Sequence, residues 1–468
     1  MREMTIAEIC SACGGTLLSG DAETRVTYFS IDSRDVPEGT FFVPLIGERV
    51  DAHKFLGDVR EKGALGAFTS EGNPFAGEAG DTGKKEMALI AVPDTVKALQ
   101  DVGALVREQL QIPIAAVTGS VGKTTTRELT AAAFSAKYRT FKTPNNNNGQ
   151  LGVPLTMMKI GEEDQFAVIE MGMSIPGEMT KISKVARPDA VVFTNVGDAH
   201  IEQLGSRENI LREKLHIQDY MPEGSVMFLN GDDPLLRNCT LREGFRKVLY
   251  GTTPDCDFYA EDIRLENGCA LFTAVTPEGK VPVALGVYGE HQVLNAMAAL
   301  TAAVWFGADP KKAAEKMGEF RGYKHRQQII VNNGLVIVDD SYNASPVSMK
   351  AGLGILKSLT PAGRKIAVLG DMKELGEAAE EMHREVGTFL AEQNAADWLF
   401  VLGPLGKQLA EGARKAGFPG DSILCFTDRE ELGKELERFA KEGDAILFKA
   451  SNSMKLFELA DRMGGNAK

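Results

Sequence analysis

The sequence predicts an α/β protein of three units, and three observations carry that expectation. At 468 residues the chain is too long for one hydrophobic core, so two or three domains are expected. Buried-strand runs alternate with longer amphipathic segments in two stretches of chain. The first holds "IPIAAVTG", "FAVIEMG", "DAVVFTNV" and "SVMFLNGDD"; the second holds "GLVIVDDSY", "RKIAVLGDM", "DWLFVLGP" and "DAILFKAS". That alternation is the pattern of parallel sheets flanked by helices. Finally, one of these strands runs into a turn of small residues and then a helix, "PIAAVTGSVGKTTTRE", Pro113 to Glu128.

The first unit, residues 1–93, opens on a helical stretch with Cys10 and Cys13 on one face. No second cysteine pair accompanies them, so they read better as one face of a helix than as half of a zinc site. Short β-like runs, "TYFSID" and "TFFVPL", follow. The loop "EGNPFAGEAGDTGKKE" is the best early linker candidate. Residues 94–324 form the second unit, and residues 325–468 read as a smaller α/β domain. The four asparagines Asn145 to Asn148 are the only low-complexity tract.

Composition narrows the function. A hydrophobic content of 43% and charged content of 25% are those of a soluble globular protein, and no apolar run nears the roughly 18 residues of a membrane span. The N-terminus lacks the basic start and apolar stretch of a signal peptide, so a cytoplasmic protein without membrane insertion is expected. A net charge of −13 opposes an extended nucleic-acid surface, and any polyanionic ligand must meet a local cluster.

The turn supplies such a cluster. A phosphate needs several converging donors with no side chains in the way, and small residues at a helix N-terminus provide backbone N–H groups and a favourable dipole. Gly119, Ser120, Val121, Gly122, Lys123, Thr124 and Thr125 are therefore read as an ATP-binding loop. Lys123 brings positive charge near the β and γ phosphates, and the Thr124 hydroxyl is suited to Mg²⁺. The stretch departs from G-x-x-x-x-G-K-[ST], because Val117 stands at the first glycine position. Phosphoryl transfer also needs charge neutralisation from later strand ends. Glu170 closes "AVIEMG" and His200 follows "VVFTNVGDAH". Lys214, in "NILREKLHIQDY", taken alone reads as the polar face of an amphipathic helix.

Taken together, "VTGSVGKTT", "VIEMGM", "TNVGDAHIEQLGS" and "REKLHI", in this order and at these intervals, resemble the central domain of the Mur ligases, the ATP-dependent amide-bond-forming enzymes of peptidoglycan synthesis. The resemblance covers nearly the whole chain. Within the family, "DDSYNASPVSM" and "GDMKELGE" resemble the members that add D-alanyl-D-alanine to a UDP-N-acetylmuramoyl-tripeptide, and the D-N-P-R motif of the members acting one step earlier is absent. The resemblance implies a small α/β N-terminal UDP-binding domain, a central P-loop parallel-sheet ATPase domain and a C-terminal Rossmann-like domain; a monomer is expected, although the sequence itself is silent on oligomeric state.

It also implies roles. ATP converts the tripeptide's terminal carboxylate to an acyl phosphate, which the dipeptide amine then attacks. Thr124 and Glu170 would hold one Mg²⁺, and His200 would help hold a second. Lys214 matches a carbamylated lysine facing that second ion. Asn295 matches a residue near adenine, Arg326 an arginine reaching the γ phosphate, and Asp340 a ribose or hinge-side carboxylate. Tyr342 and Asn343 line the same junction, Asn146 and Asn148 match tripeptide contacts, and Asp32, Ser33 and Arg34 fall in a UDP-binding segment. The sequence departs from the family pattern at Gly149, Gln292, Ser345, Ala450 and Asn452. A related ligase is the nearest alternative: the muramyl ligase one step earlier, which the absent D-N-P-R motif opposes, or a folylpolyglutamate synthase, which the UDP-type first domain opposes. A nucleotide-binding scaffold without chemistry is opposed by the presence of Lys123, Glu170, His200, Lys214 and Arg326.

Overall fold

The structure is a computed structural model and describes residues 3–76 and 86–465. Its three main sheets follow one another along the chain. The first runs in the order Thr16–Ser19, Ala88–Ala91, Gly66–Thr69, Thr40–Phe42, Tyr28–Ser30, and only its Thr16–Ser19 edge strand pairs antiparallel. Phe29, Phe41 and Phe68 stack at its centre, with Phe41 and Phe68 edge to face at 4.7 Å. Residues 77–85, most of the loop expected as a linker, lie outside the described residues. The strand beyond them, Ala88–Ala91, is inserted between two strands of the first sheet. That loop is therefore a connection within the first unit, and the chain leaves through the helix Thr95–Gln109.

Asp94 caps this helix by accepting from the Val96 and Lys97 amides at 2.8 and 3.0 Å. The helix serves two bodies. Leu99, Val102 and Val106 join Ile6 and Phe41 in the first core, while Arg107 donates to Asp189 at 3.0 Å beside the central sheet.

The central sheet has nine strands. Four of them, Ile114–Thr118, Phe166–Glu170, Ala190–Phe193 and Val226–Asn230, are buried at every position, as strands covered on both faces must be. Their parallel register sets Glu170 beside Val117 and Phe193 beside Thr118, so the carboxyl ends of three strands share one edge. In open parallel sheets that edge is where ligands bind. The other end of the sheet closes with an antiparallel hairpin, Cys269–Thr276 and Gly279–Tyr288, which the strand patterns had not led us to expect. The alanine-rich helix Gln292–Trp305 is almost wholly buried and packs against the helix Lys123–Phe134 that follows the glycine turn.

The third sheet runs Gln328–Asn332, Leu335–Asp339, Ala445–Lys449, Lys365–Gly370, Trp398–Leu402, Ile423–Phe426, parallel except at its first edge. Between the second and third sheets the backbone turns at His325 and Gln327, both with left-handed φ, 61° and 56°. Non-glycine residues adopt this conformation at a cost, so tertiary contacts must hold it.

Candidate active site

The glycine turn is held open by its neighbours. Gly119 has φ +139°, and a Cβ there would land on the Thr194 hydroxyl; Gly122 has φ +85° and faces the Asn295 side chain. Asn195, just past the next strand, accepts from the Ser120 amide through its carbonyl at 3.0 Å and from the Val121 amide through Oδ1 at 2.9 Å. Thr194 and Asn195 both donate to the Val121 carbonyl, at 2.7 and 3.0 Å. Lys123 folds back over the turn and donates to the carbonyls of Gly119 (2.7 Å) and Ser120 (3.2 Å). By surface area Lys123 is half-buried, but its ammonium is packed around on all sides; desolvation pulls its pKa down to about 8 against the attraction of Glu170. An anion arriving in the turn would meet that under-compensated charge. Thr125 is half-buried on the first turn of the helix.

Beside the turn, Glu170 is 1% exposed. Its Oε1 accepts from the Thr124 hydroxyl at 3.3 Å and from Asn148 Nδ2 at 2.7 Å, and its Oε2 from Arg127 at 3.2 Å. A hydroxyl and a carboxylate oxygen beside the glycine turn are a hard oxygen donor pair, and they fit a Mg²⁺ ion. Asn146 joins through its Oδ1, which accepts from Asn148 at 3.0 Å.

Lys214 is 1% exposed, which corrects the expectation that its helix turns it to solvent. Its helix, Arg207–Leu215, carries both Glu213 and Lys214 inward. Desolvation first, and then the nearby Lys123, drive the Lys214 pKa well below its ordinary value, while Glu213 opposes the shift. Burial beside the glycine turn thus favours the neutral form of this amine.

His200 reaches a different partner. It has a left-handed backbone, φ 65°, and its Nδ1 lies 2.6 Å from Oε2 of Glu374 in the third unit, without the alignment of a regular hydrogen bond. The contact holds the Glu374 carboxyl below its usual range.

The linker brings in further groups. The Arg326 guanidinium lies over the Tyr342 ring at 3.9 Å, close enough to Lys123 to lower its pKa. Tyr342 is raised by burial, with Arg326 and Glu170 among its charged neighbours. Asp340 is buried and pairs with Lys449 at 2.6 Å; burial raises its pKa, and His291 and Arg326 are also close. Asn343 is exposed, and its carbonyl accepts from Lys449 at 3.0 Å. Asn295 accepts from Thr126 at 3.0 Å and donates to Gln292 at 2.8 Å. Lys123, Thr124, Glu170, Asn148, Lys214, Arg326 and Tyr342 therefore gather round one sheet edge, with Asn295 and Asp340 at its rim.

Three predicted residues lie apart. Asp32 and Arg34 form an exposed pair in the first unit (2.7 Å), and Arg34 holds the Asp32 carboxyl at about 2; the Ser33 carbonyl accepts from Lys62 at 2.7 Å. Between them and the main site runs a cleft of about 490 Å³, lined by Ile31 and Val96 on one side and by Asn146, Gly149, Gln150 and Glu178 on the other.

Three of the departures from the family pattern have hydrogen-bond partners. Gln292 donates to Gln327 at 2.7 Å and so ties Asn295 to the linker. Ser345 caps the helix Pro346–Ser358, and Asn452 donates to the Tyr342 carbonyl at 3.0 Å. Ala450 is fully buried, and a Cβ on Gly149 would meet open space. Asn195, Glu374, Lys449 and Arg127 also serve this region, although the motifs that contain them do not single them out. Most of their partners are distant in sequence, and no local pattern marks them. His325, Asp339 and Asp461 also converge near the linker, but Lys324 already sits 3.1 Å from Asp461.

Comparison with known proteins agrees with this geometry. Residues 117–303 match the Mur ligase middle domain, and residues 325–452 match the Mur ligase glutamate ligase domain. A UDP-N-acetylmuramoyl-tripeptide–D-alanyl-D-alanine ligase of Bacillus subtilis is 37% identical over 98% of this chain and 98% of its own. The Escherichia coli protein of the same name is 31% identical over 100% and 99%. Among solved structures, MurF from Acinetobacter baumannii superposes with a TM-score of 0.87 at 28% identity, covering 99% of both chains. MurF from Thermotoga maritima in complex with ADP superposes at 0.78 and 28% identity, covering 94% of this chain and 98% of its own. With two family domains matched over most of its length and a relative 37% identical from end to end, the chain belongs to the Mur ligase family.

Proposed function

We propose that this protein is the ATP-dependent ligase that joins D-alanyl-D-alanine to UDP-N-acetylmuramoyl-tripeptide in peptidoglycan precursor synthesis. The observation that carries the reading is the gathering of Lys123, Thr124, Glu170, Lys214 and Arg326 at one sheet edge, in a chain similar from end to end to ligases of that name.

A carboxylate is a poor electrophile, so its oxygen first attacks the γ phosphorus and ADP leaves. The amine nitrogen of the dipeptide then adds to the acyl carbon, phosphate departs from the tetrahedral intermediate, and the amine proton goes to solvent or a nearby base. In this reading the turn amides and Lys123 bind the phosphates, and Arg326 adds a planar donor fork from the linker. Mg²⁺ at Thr124 and Glu170 would supply neutralisation of phosphate charge. In its neutral form the Lys214 amine is suited to attack CO₂: a nitrogen–carbon bond forms, the nitrogen loses one proton, and the neutral side chain becomes an anionic carbamate that would face a second ion with His200. Asn146 and Asn148 would contact the tripeptide across the cleft, Tyr342 and Asn343 the junction where the dipeptide arrives, and Asp32, Ser33 and Arg34 the UDP group. Asn295 and Asp340 would flank the nucleoside. The units would end near residues 93 and 324, and a cytoplasmic monomer is the setting that fits cytoplasmic substrates.

Phosphate release from ATP tests the function. Release that needs both UDP-muramoyl-tripeptide and D-Ala-D-Ala, with a product one dipeptide heavier, is the expected result. Nucleotide binding with no product from that pair would turn the search to other amines and carboxylates.

A further inference from the structure

Arg127 sits one helical turn beyond Lys123 and is fully buried. A buried arginine brings a permanent charge into a low-dielectric site, and such pairs are weak stabilisers unless geometry compensates for their desolvation. Its contacts are specific. One terminal nitrogen donates to Glu170 Oε2 at 3.2 Å and to the Asn145 carbonyl at 2.7 Å; the other donates to Glu128 Oε1. Lys142 pairs with the remaining Glu128 oxygen, so Glu128 does not depend on Arg127 alone. The guanidinium also lies 5.3 Å from the centre of the Tyr323 ring, and the Tyr323 carbonyl accepts from the Arg326 amide at 3.0 Å. One side chain thus touches Glu170, the backbone of the asparagine loop and the linker that carries Arg326.

The consequence concerns the Glu170 carboxylate. Arg127 occupies Oε2, which leaves Oε1 turned toward Thr124 and Asn148. Without that anchor the carboxylate could rotate about its last bond and exchange its two oxygens.

We propose that Arg127 is a positioning residue for the ligation: it fixes the orientation in which Glu170 presents its oxygen to the cation of the nucleotide complex, and it ties that orientation to the asparagine loop and, through Tyr323, to the linker. The inference rests on the reading of Glu170 as a metal ligand.

The test measures binding of a non-hydrolysable ATP analogue by calorimetry as Mg²⁺ is varied, with thermal unfolding alongside, for the parent, Arg127→Lys, Tyr323→Leu and Glu170→Gln. Lysine keeps the charge and stem but cannot fork to Glu170 and Asn145 with the same planar geometry. Arg127→Lys is expected to need about tenfold more Mg²⁺ for half-maximal binding, the scale on which groups behind a metal ligand act. Tyr323→Leu, which buries no unpaired charge, should shift the requirement the same way by less. Arg127→Lys with the parental Mg²⁺ requirement, whether or not it unfolds earlier, would overturn the positioning role if Glu170→Gln is shifted. An unshifted Glu170→Gln would instead overturn the reading of Glu170 on which the proposal rests.

Discussion

Lys214 shows how far a single residue can depart from its local pattern. In sequence it stands among Arg212, Glu213 and His216, and a charged residue in such company is ordinarily solvated. In the fold it is 1% exposed and repelled by Lys123. Only the family resemblance singles it out, because the burial comes from groups outside its own helix, Lys123 among them. Below its depressed folded value the lysine is protonated in both states, and the cost of burying its charge is complete. As pH rises from there toward the unfolded value near 10.5, the unfolded chain keeps the proton that the native one has lost, so stability rises and the cost disappears. In CO₂-free buffer at neutral pH, Lys214→Met should therefore melt above the parent by roughly 2–4 °C, the shift for about 1 kcal/mol in a domain of ordinary size. The difference should close as pH approaches 10.5. If the amine carries a carbamate in the working enzyme, Lys214→Ala should lose on the order of a hundredfold in ligation, the scale of a lost electrostatic group in an active site, and short carboxylates should restore part of it. Full activity without added carboxylate would remove the carbamate from the reaction.

The glycine turn is the element that local reading recovered most fully. Strand, turn and helix follow from buried β-branched residues, two glycines and a run of threonines, all of which act within a few residues of one another. What holds the turn was not legible, because Thr194 and Asn195 lie more than seventy residues away. The hairpin at the far sheet edge escaped for a similar reason: its pattern of alternate burial is clear, but its place beside the parallel strands is set by tertiary pairing. The long-range clasp predicts a coupling. Gly119→Ala adds a Cβ at a positive φ and into the Thr194 hydroxyl, and should weaken ATP-analogue binding by tenfold or more, an estimate of about 1.4 kcal/mol or greater. Thr194→Ala removes one donor to the Val121 carbonyl and should cost less, since Asn195 still donates there. Combined, the two should bind better than the sum of their separate losses predicts, because the smaller residue relieves the clash while the strained φ remains. Strict additivity in calorimetry would show that the turn does not rest on this contact.

At the scale of the whole molecule, the question is what holds the third unit against the central one. The second and third sheets were legible because each alternates strands and helices over a contiguous stretch, and the first only as short β-like runs, whereas the contacts between them join residues that no periodicity links. The His200–Glu374 approach is one such contact. Around it the Glu202 amide donates to the Glu374 carbonyl at 3.4 Å, and Gly376 faces the Glu202 side chain. Glu374 itself has φ +64°, a strained conformation that this docking helps to hold. Glu374 is half exposed, and a polar contact at such a surface, an ion pair only when the histidine is protonated, contributes about 0–1 kcal/mol. That is enough to shift a two-state domain equilibrium up to about fivefold while leaving each unit folded. In the ligand-free protein, Glu374→Ala should therefore leave thermal unfolding nearly unchanged while speeding amide exchange at residues 198–204 and 371–376 and enlarging the radius of gyration in solution scattering. Exchange and radius identical to the parent would mean that the hinge turn at His325 and Gln327, with its Gln292–Gln327 and Arg326–Tyr342 contacts, sets the domain arrangement without help from this pair.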